Sequence, residues 1–138
     1  MPGGESRLVL IVEDDSSMSQ ALERILRLGG HETVSYPSAE ALLASGDCSA
    51  AACMILDIQL PGLTGLELHA RLSQLGSVPP VIFITAFDEP EARAQAERLG
   101  ASAFLAKPFS GRTLLATVRA TLTALEAQPN GTPDRTKA

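Results

Sequence analysis

Cys53-Met54-Ile55-Leu56-Asp57-Ile58-Gln59-Leu60-Pro61-Gly62-Leu63-Thr64-Gly65 sets a lone carboxylate at the end of an apolar run, with turn residues directly after it. A run of this length bounded by Pro and Gly reads as a strand buried on both faces. Asp57 then stands at the mouth of that strand. Upstream, Leu8-Val9-Leu10-Ile11-Val12 runs into Glu13-Asp14-Asp15, so a second strand delivers carboxylates where the chain reverses. Two acidic strand ends point to one shared cation.

Working outward, apolar runs alternate with helix-period segments. Met18, Leu22, Ile25 and Leu26 recur at three- and four-residue steps and Gly29-Gly30 closes the helix. Thr33–Tyr36 reads as a short second strand, and Ser38 as the N-cap of a helix ending near Gly46. Ala52–Leu56 is the third strand. Leu66, Leu68, Leu72 and Leu75 mark a third helix, Pro80–Ile84 a fourth strand, and Asp88 the cap of a helix running through Leu99 to Gly100. Ala103–Leu105 forms the fifth strand, and Ser110 caps a last helix with Leu115, Val118, Leu122 and Leu125 on one face. Five βα units in this order predict an α/β fold: a five-stranded parallel sheet with helices on both faces. In such sheets sites form beyond the carboxyl ends of the strands. Asp14, Asp57, Thr85 and Lys107 all fall there.

Composition narrows the function classes. The 138 residues are 45% apolar and 20% charged, the balance of one globular domain, which we place at residues 7–126. Residues 1–6 read as a flexible N-terminus, and 127–138, with Pro129 and Pro133 and no apolar period, as a solvated tail or linker. Eleven basic against sixteen acidic residues give a net charge of −5, which argues against nucleic-acid binding by this domain. No stretch approaches the roughly 20 apolar residues of a membrane span and no signal peptide is legible, so a cytoplasmic location without membrane attachment is expected. Cys48 and Cys53, with His31 and His69 the only histidines, suit two thiols in a reducing compartment better than a zinc site or a disulfide.

The strand-end residues suit a particular chemistry. Mg²⁺ or Mn²⁺ takes oxygen ligands at about 2.1 Å and keeps several waters, so Asp14, Asp57, Glu13 and the main-chain carbonyl of Gln59 would be enough protein. A carboxylate beside such a cation also serves as a nucleophile toward an activated phosphoryl group, where catalysis consists of positioning and charge neutralisation. Lys107 offers a compact positive charge and Thr85 a hydroxyl. Either alone reads more simply as an ordinary strand-end residue; their joint placement favours a site. Pro108 directly after Lys107 is a candidate for a cis bond that would aim the amine inward. Phe104 and Phe109 flank this pair, and core packing is the competing reading of Phe104.

These residues together resemble the receiver domains of bacterial two-component response regulators. The likeness covers about residues 7–124 and rests on the acidic pair Glu13-Asp14, Asp57 with Pro61-Gly62 and Gly65, Ile84-Thr85-Ala86, and Lys107-Pro108-Phe109, in order and at fitting intervals. It implies a flavodoxin-like sheet of order 2-1-3-4-5 and Asp57 as acceptor of a phosphoryl group from a sensor histidine kinase or phosphotransfer protein. It also implies Glu13 and Asp14 as metal ligands with the Gln59 carbonyl, Thr85 and Ala86 as phosphate-binding and switch positions, Lys107 as the partner cation, and Phe104 as the aromatic that follows Thr85. Phosphorylation would then alter the face of the fourth helix, fifth strand and fifth helix for dimerisation or output. The domain catalyses its own phosphorylation and dephosphorylation in that reading and is not otherwise an enzyme. The chain looks most like receivers that precede a helix-turn-helix transcription module, a DNA-binding output domain not contained in these residues.

By the same resemblance Phe104 stands where tyrosine is frequent in the family, so any hydrogen bond from the ring to a partner is lost, and Gln59 and Phe87 occupy positions that border the attacking water's route. Asp15 is expected outside the first metal shell. Among rival readings, a phosphatase with a nucleophilic Asp would carry a second Asp two residues on, where this chain has Gln59. A flavodoxin needs a Ser/Thr/Gly-rich phosphate loop where this chain has Glu13-Asp14-Asp15. A degenerate receiver acting only as a protein-binding module would have lost Asp57, Asp14 or Lys107, and all three are present.

Overall fold

A computed structural model describes residues 8–45 and 48–126. The elements are β1 (Leu8–Val12), α1 (Ser16–Leu28), β2 (Glu32–Tyr36), α2 (Ala39–Ser45), a 3-10 turn (Cys48–Ala50), β3 (Cys53–Asp57), α3 (Gly65–Leu75), β4 (Val81–Thr85), α4 (Pro90–Arg98), β5 (Ala103–Ala106) and α5 (Gly111–Glu126). All neighbouring strands run parallel, in the order β2-β1-β3-β4-β5. The α/β architecture and strand order expected from the alternation and the resemblance are therefore observed. The expectations for residues 1–6 and 127–138, for a helix end at Gly46 and for the side chain of Leu125 lie outside the described residues.

Side chains in a strand alternate between faces, and this splits the apolar runs into two cores. Leu10, Val12, Met54, Leu56 and Phe83 face Ala39 and Leu42 of α2, Leu68 and Leu72 of α3, and Ala96 of α4. The odd-numbered partners Val9, Ile11, Cys53 and Ile55, with Ile82 and Ile84, face Leu22 and Leu26 of α1 and Leu114 and Val118 of α5. Central strands covered on both sides must be apolar throughout. Burying a side chain such as Phe83 contributes about 1.5–3 kcal/mol, against about 1 kcal/mol net for one hydrogen bond. The sheet faces, not the polar edge, carry the stability.

Local signals set several element starts. Asp15 is the N-cap of α1, its Oδ1 accepting from the N–H groups of Ser17 at 2.9 Å and Met18 at 3.3 Å. Ser38 and Ser110 cap their helices as expected, each accepting an N–H, from Ala41 and Thr113, at 3.0 Å. Thr64 and Glu67 form a reciprocal capping box on α3. The expectation for Asp88 fails. Pro90 opens α4, which makes Glu89 the cap residue, without a side-chain cap bond, and leaves Asp88 one step too far out. Asp88 pairs instead with the Arg93 guanidinium at 3.0 Å. The third and fourth strands lie one residue later than expected, at Cys53–Asp57 and Val81–Thr85, and the fifth extends to Ala106, because the β3–β4 ladder continues to Asp57↔Ile84 and the β4–β5 ladder to Thr85↔Ala106.

His69 of α3 is 4% exposed, lies edge-on to Phe83 with ring centroids 5.8 Å apart, and its Nδ1 has no hydrogen-bond partner among the described residues. Burial pushes its pKa below the ordinary 6.5. The unfolded chain thus binds the proton that the folded chain refuses, and His69 contributes a loss of stability as pH falls from 6.5 toward the lower folded value. Urea melts at pH 7.5 and 5.5 are expected to show a smaller acid loss in His69→Leu than in the parent. An equal loss in both would remove His69 as a cause.

Candidate functional site

Because every strand is parallel, the ends of β1, β3, β4 and β5 open on one edge of the sheet, and the acidic, hydroxyl and amine groups meet there. Glu13 and Asp57 are both 2% exposed, whereas Asp14 is exposed. One carboxylate oxygen from each of the three lies within 4.8 Å of the others. Oxygens bound at about 2.1 Å to one Mg²⁺ sit roughly 3–4 Å apart, so this donor set fits a hard divalent cation with small side-chain adjustments.

Lys107, directly after β5, closes the cluster. Its Nζ donates to Glu13 Oε1 and to Asp57 Oδ2, both at 3.1 Å. Burial alone would lower the Lys107 pKa, but the hydrogen bonds and charges of Asp57 and Glu13 outweigh it and the net direction is upward. The amine keeps its charge. Burial raises the Glu13 pKa, aided by the charge of Asp57 and opposed by the Asp15 N–H and by Lys107. The Lys107–Pro108 peptide bond is cis, and Lys107 N–H donates to the Thr85 carbonyl at 2.7 Å.

The loop after Asp57 is anchored twice. Gln59 N–H donates to Asp57 Oδ1 at 3.0 Å, and Gly65 N–H donates to the Ile58 carbonyl at 3.1 Å. Gly62 takes a left-handed φ of 76°, which turns Leu63 N–H onto the Glu40 carboxylate at 3.0 Å and holds the Glu40 pKa below its usual value. At Gly65 a β-carbon would stand 2.3 Å from the Asp57 carbonyl oxygen and 3.1 Å from the Ile58 Cα. Those are backbone atoms and cannot swing aside. Gly65→Ala is therefore expected to cost about 2–3 kcal/mol in a urea melt and to displace Asp57, while Gly76→Ala, which meets nothing within 4 Å but sits at φ 157°, should cost less. Equal losses would show that the close approach is not tight.

Thr85 does not point its hydroxyl at the carboxylates. It donates to Gln59 Oε1 at 2.7 Å and accepts from Phe87 N–H at 3.0 Å, while Ala86 N–H also donates to Gln59 Oε1 at 3.0 Å. No charge or period in the sequence marks the Gln59 side chain; only its offset of two from Asp57 hinted at the site. Phe104 pairs in register with Phe83, two residues short of the strand end, and packs against the core on the α4 side. The Arg93 guanidinium lies 4.4 Å over its ring, a cation–π contact that the sequence reading did not foresee. Phe109 packs into the opposite core.

Residues 9–119 match the family model of the response regulator receiver domain. The chain belongs to that family. Among relatives, the receiver domain is 40% identical over 108 residues to nodulation protein W of Bradyrhizobium diazoefficiens, covering 78% of this chain and 48% of that protein. It is 34% identical over 118 residues to the transcriptional regulatory protein FixJ of Azorhizobium caulinodans, covering 86% and 56%. The chain thus spans about half the length of such relatives. In structure the receiver domain is similar to a CheY-like receiver domain protein of Methanospirillum hungatei, with a TM-score of 0.80 and 26% identity over 88% of this chain and 98% of that one. The response regulator StyR aligns with a TM-score of 0.79 and 32% identity over 92% of this chain and 65% of that one. No helix among the described residues is long and apolar enough to cross a membrane.

Proposed function

We propose that this receiver domain accepts a phosphoryl group on Asp57 from a phosphohistidine of a sensor kinase or phosphotransfer protein. The observation that carries the reading is the pair of 3.1 Å bonds that Lys107 makes to Glu13 and Asp57, beside an exposed Asp14, at the carboxyl edge of the sheet. An Asp57 carboxylate oxygen attacks phosphorus, the phosphorus–nitrogen bond breaks, and the imidazole leaves with the bonding pair. Glu13, Asp14 and Asp57, with the Gln59 carbonyl, would hold Mg²⁺ or Mn²⁺. When bound, the cation neutralises charge on the transferred oxygens. Lys107 supplies a fixed positive charge on the other side, and Thr85 Oγ1 and Ala86 N–H are the donors for the remaining phosphoryl oxygens.

The positions of Thr85 and Phe104 on neighbouring strands support a route for the readout. Drawing the Thr85 hydroxyl toward a phosphoryl group opens space beneath Phe104, and the ring moves from under Arg93, altering the face of α4, β5 and α5. That face serves dimerisation or output. The half-length match to the transcriptional regulatory protein FixJ supports control of a DNA-binding output domain, and phosphoryl transfer from a kinase phosphohistidine supports a cytoplasmic location. Dephosphorylation by water at the same site makes the domain a self-catalysing phosphoacceptor.

Intact mass after incubation with Mg²⁺ and acetyl phosphate tests the reading. A metal-dependent gain of one phosphoryl group, labile to hydroxylamine, is expected. No adduct on a folded protein would leave a receiver that acts as a phosphorylation-independent binding module.

A further inference from the structure

The Gln59 carboxamide sits on the two donors that a phosphoryl oxygen would need. Its Oε1 accepts from Thr85 Oγ1 at 2.7 Å and from Ala86 N–H at 3.0 Å, two convergent donors on adjacent residues at the end of β4. The atom facing them is the oxygen because Ala86 presents a backbone N–H, which accepts nothing. Thr85 Oγ1 already accepts from Phe87 N–H at 3.0 Å, so its own proton is available, and the Gln59 oxygen lies closer than the Phe87 carbonyl at 3.1 Å. The backbone N–H of Gln59 is meanwhile fixed on Asp57 Oδ1 at 3.0 Å, which anchors the side chain beside the nucleophile.

We infer that Gln59 is an internal latch: its carboxamide oxygen stands in for a phosphoryl oxygen in the unphosphorylated chain and must be displaced before Thr85 and Ala86 can bind the real one. The inference rests on the phosphoacceptor reading of Asp57 and deepens it. A charged phosphoryl oxygen is a stronger acceptor than a neutral amide, so the exchange runs forward once phosphate arrives. Ala86 is exposed and Gln59 only part-buried, so the released carboxamide hydrates without a stranded polar group. The latch thereby opposes the activated state and ties the switch hydroxyl to the loop that carries Asp57.

The test compares the full chain with Gln59→Ala and Gln59→Met, the latter keeping length while removing the acceptor oxygen. Beryllofluoride affinity in Mg²⁺ is read by titration, which avoids any change in hydrolysis, and acetyl phosphate labelling is read as an initial rate by intact mass, with Asp57→Asn as control. Both Gln59 variants are expected to bind beryllofluoride about tenfold more tightly and to label faster, the effect of removing two competing hydrogen bonds. Asp57-dependent labelling with unchanged or weaker beryllofluoride binding in both variants would overturn the latch and leave the phosphoacceptor reading standing. A gain in Gln59→Ala absent from Gln59→Met would overturn it too, assigning the effect to bulk. No label or beryllofluoride binding in any protein would overturn both readings.

Discussion

Asp57→Asn is expected to take no phosphoryl group from acetyl phosphate or a kinase while keeping its fold. Asparagine preserves the volume and an oxygen that accepts the Gln59 N–H now bonded to Asp57 Oδ1. It removes the nucleophile. Stability should not fall, because the Asp57 charge raises the neighbouring Glu13 pKa, and Glu13 retains its own 3.1 Å bond to Lys107. Intact mass and calorimetry on the same samples check both statements: no adduct, and a Tm at or above that of the parent in metal-free buffer. An adduct on Asp57→Asn at the parental rate would place the chemistry on another residue.

Lys107→Ala is expected to have the second largest effect, and on two quantities. The lysine side chain is 17% exposed and bridges carboxylate side chains that are 1% and 3% exposed, so its loss leaves two buried acids side by side without a cation. Breaking such a cluster costs about 3 kcal/mol, a large share of a typical total of 5–15 kcal/mol. The deficit should depend on pH. Glu13 already has a folded pKa above 4.5, and loss of Lys107 raises it further. In that window the native state binds more protons than the unfolded one, so stability falls as pH rises and the mutant approaches the parent on acidification. Mg²⁺ should restore part of the loss. Labelling by acetyl phosphate should drop about a hundredfold, more than the drop in Mg²⁺ affinity, since in the proposed mechanism the amine would face the transferred oxygens while the carboxylates would hold the metal. Urea melts at pH 5 and 7.5, with EDTA or Mg²⁺, read this pattern. A mutant as stable as the parent at pH 7.5 in EDTA would show that the bridge contributes nothing.

The fold was legible because burial on both faces forces β1, β3 and β4 into unbroken apolar runs, and because helices between parallel strands leave a 3.6-residue period in Leu22, Leu26, Leu68 and Leu72. Glu13, Asp14, Asp57 and Lys107 were legible for the same reason: a charge that ends an apolar run has nowhere to sit but the sheet edge. Contacts made by uncharged or surface side chains across the chain were not. Gln59 meets Thr85 at a separation of 26 residues and has no pattern of its own. Arg93 over Phe104 depends on how α4 lies against β5, which no local spacing encodes. The Asp88 cap failed for a local reason, since Pro90 moved the helix start by one residue. Asp15 and the Thr64–Glu67 box were written in the sequence, as an Asp before a Ser-led helix and as Thr-x-x-Glu, but were overshadowed by the acidic pair and by the turn.

The cation of this site comes from the far end of the chain. Lys107 bonds to residues 94 and 50 positions earlier, from directly after an edge strand that is the last of five to be made. During synthesis at about 5–20 residues per second, β1 and β3 emerge with their acids well before the lysine leaves the ribosome. Until then Glu13 and Asp57 lack the amine that bridges them in the folded domain. On the proposed phosphoacceptor reading, competence to receive a signal would arise only when the fifth strand docks, and chains truncated before it are expected to take no phosphoryl group.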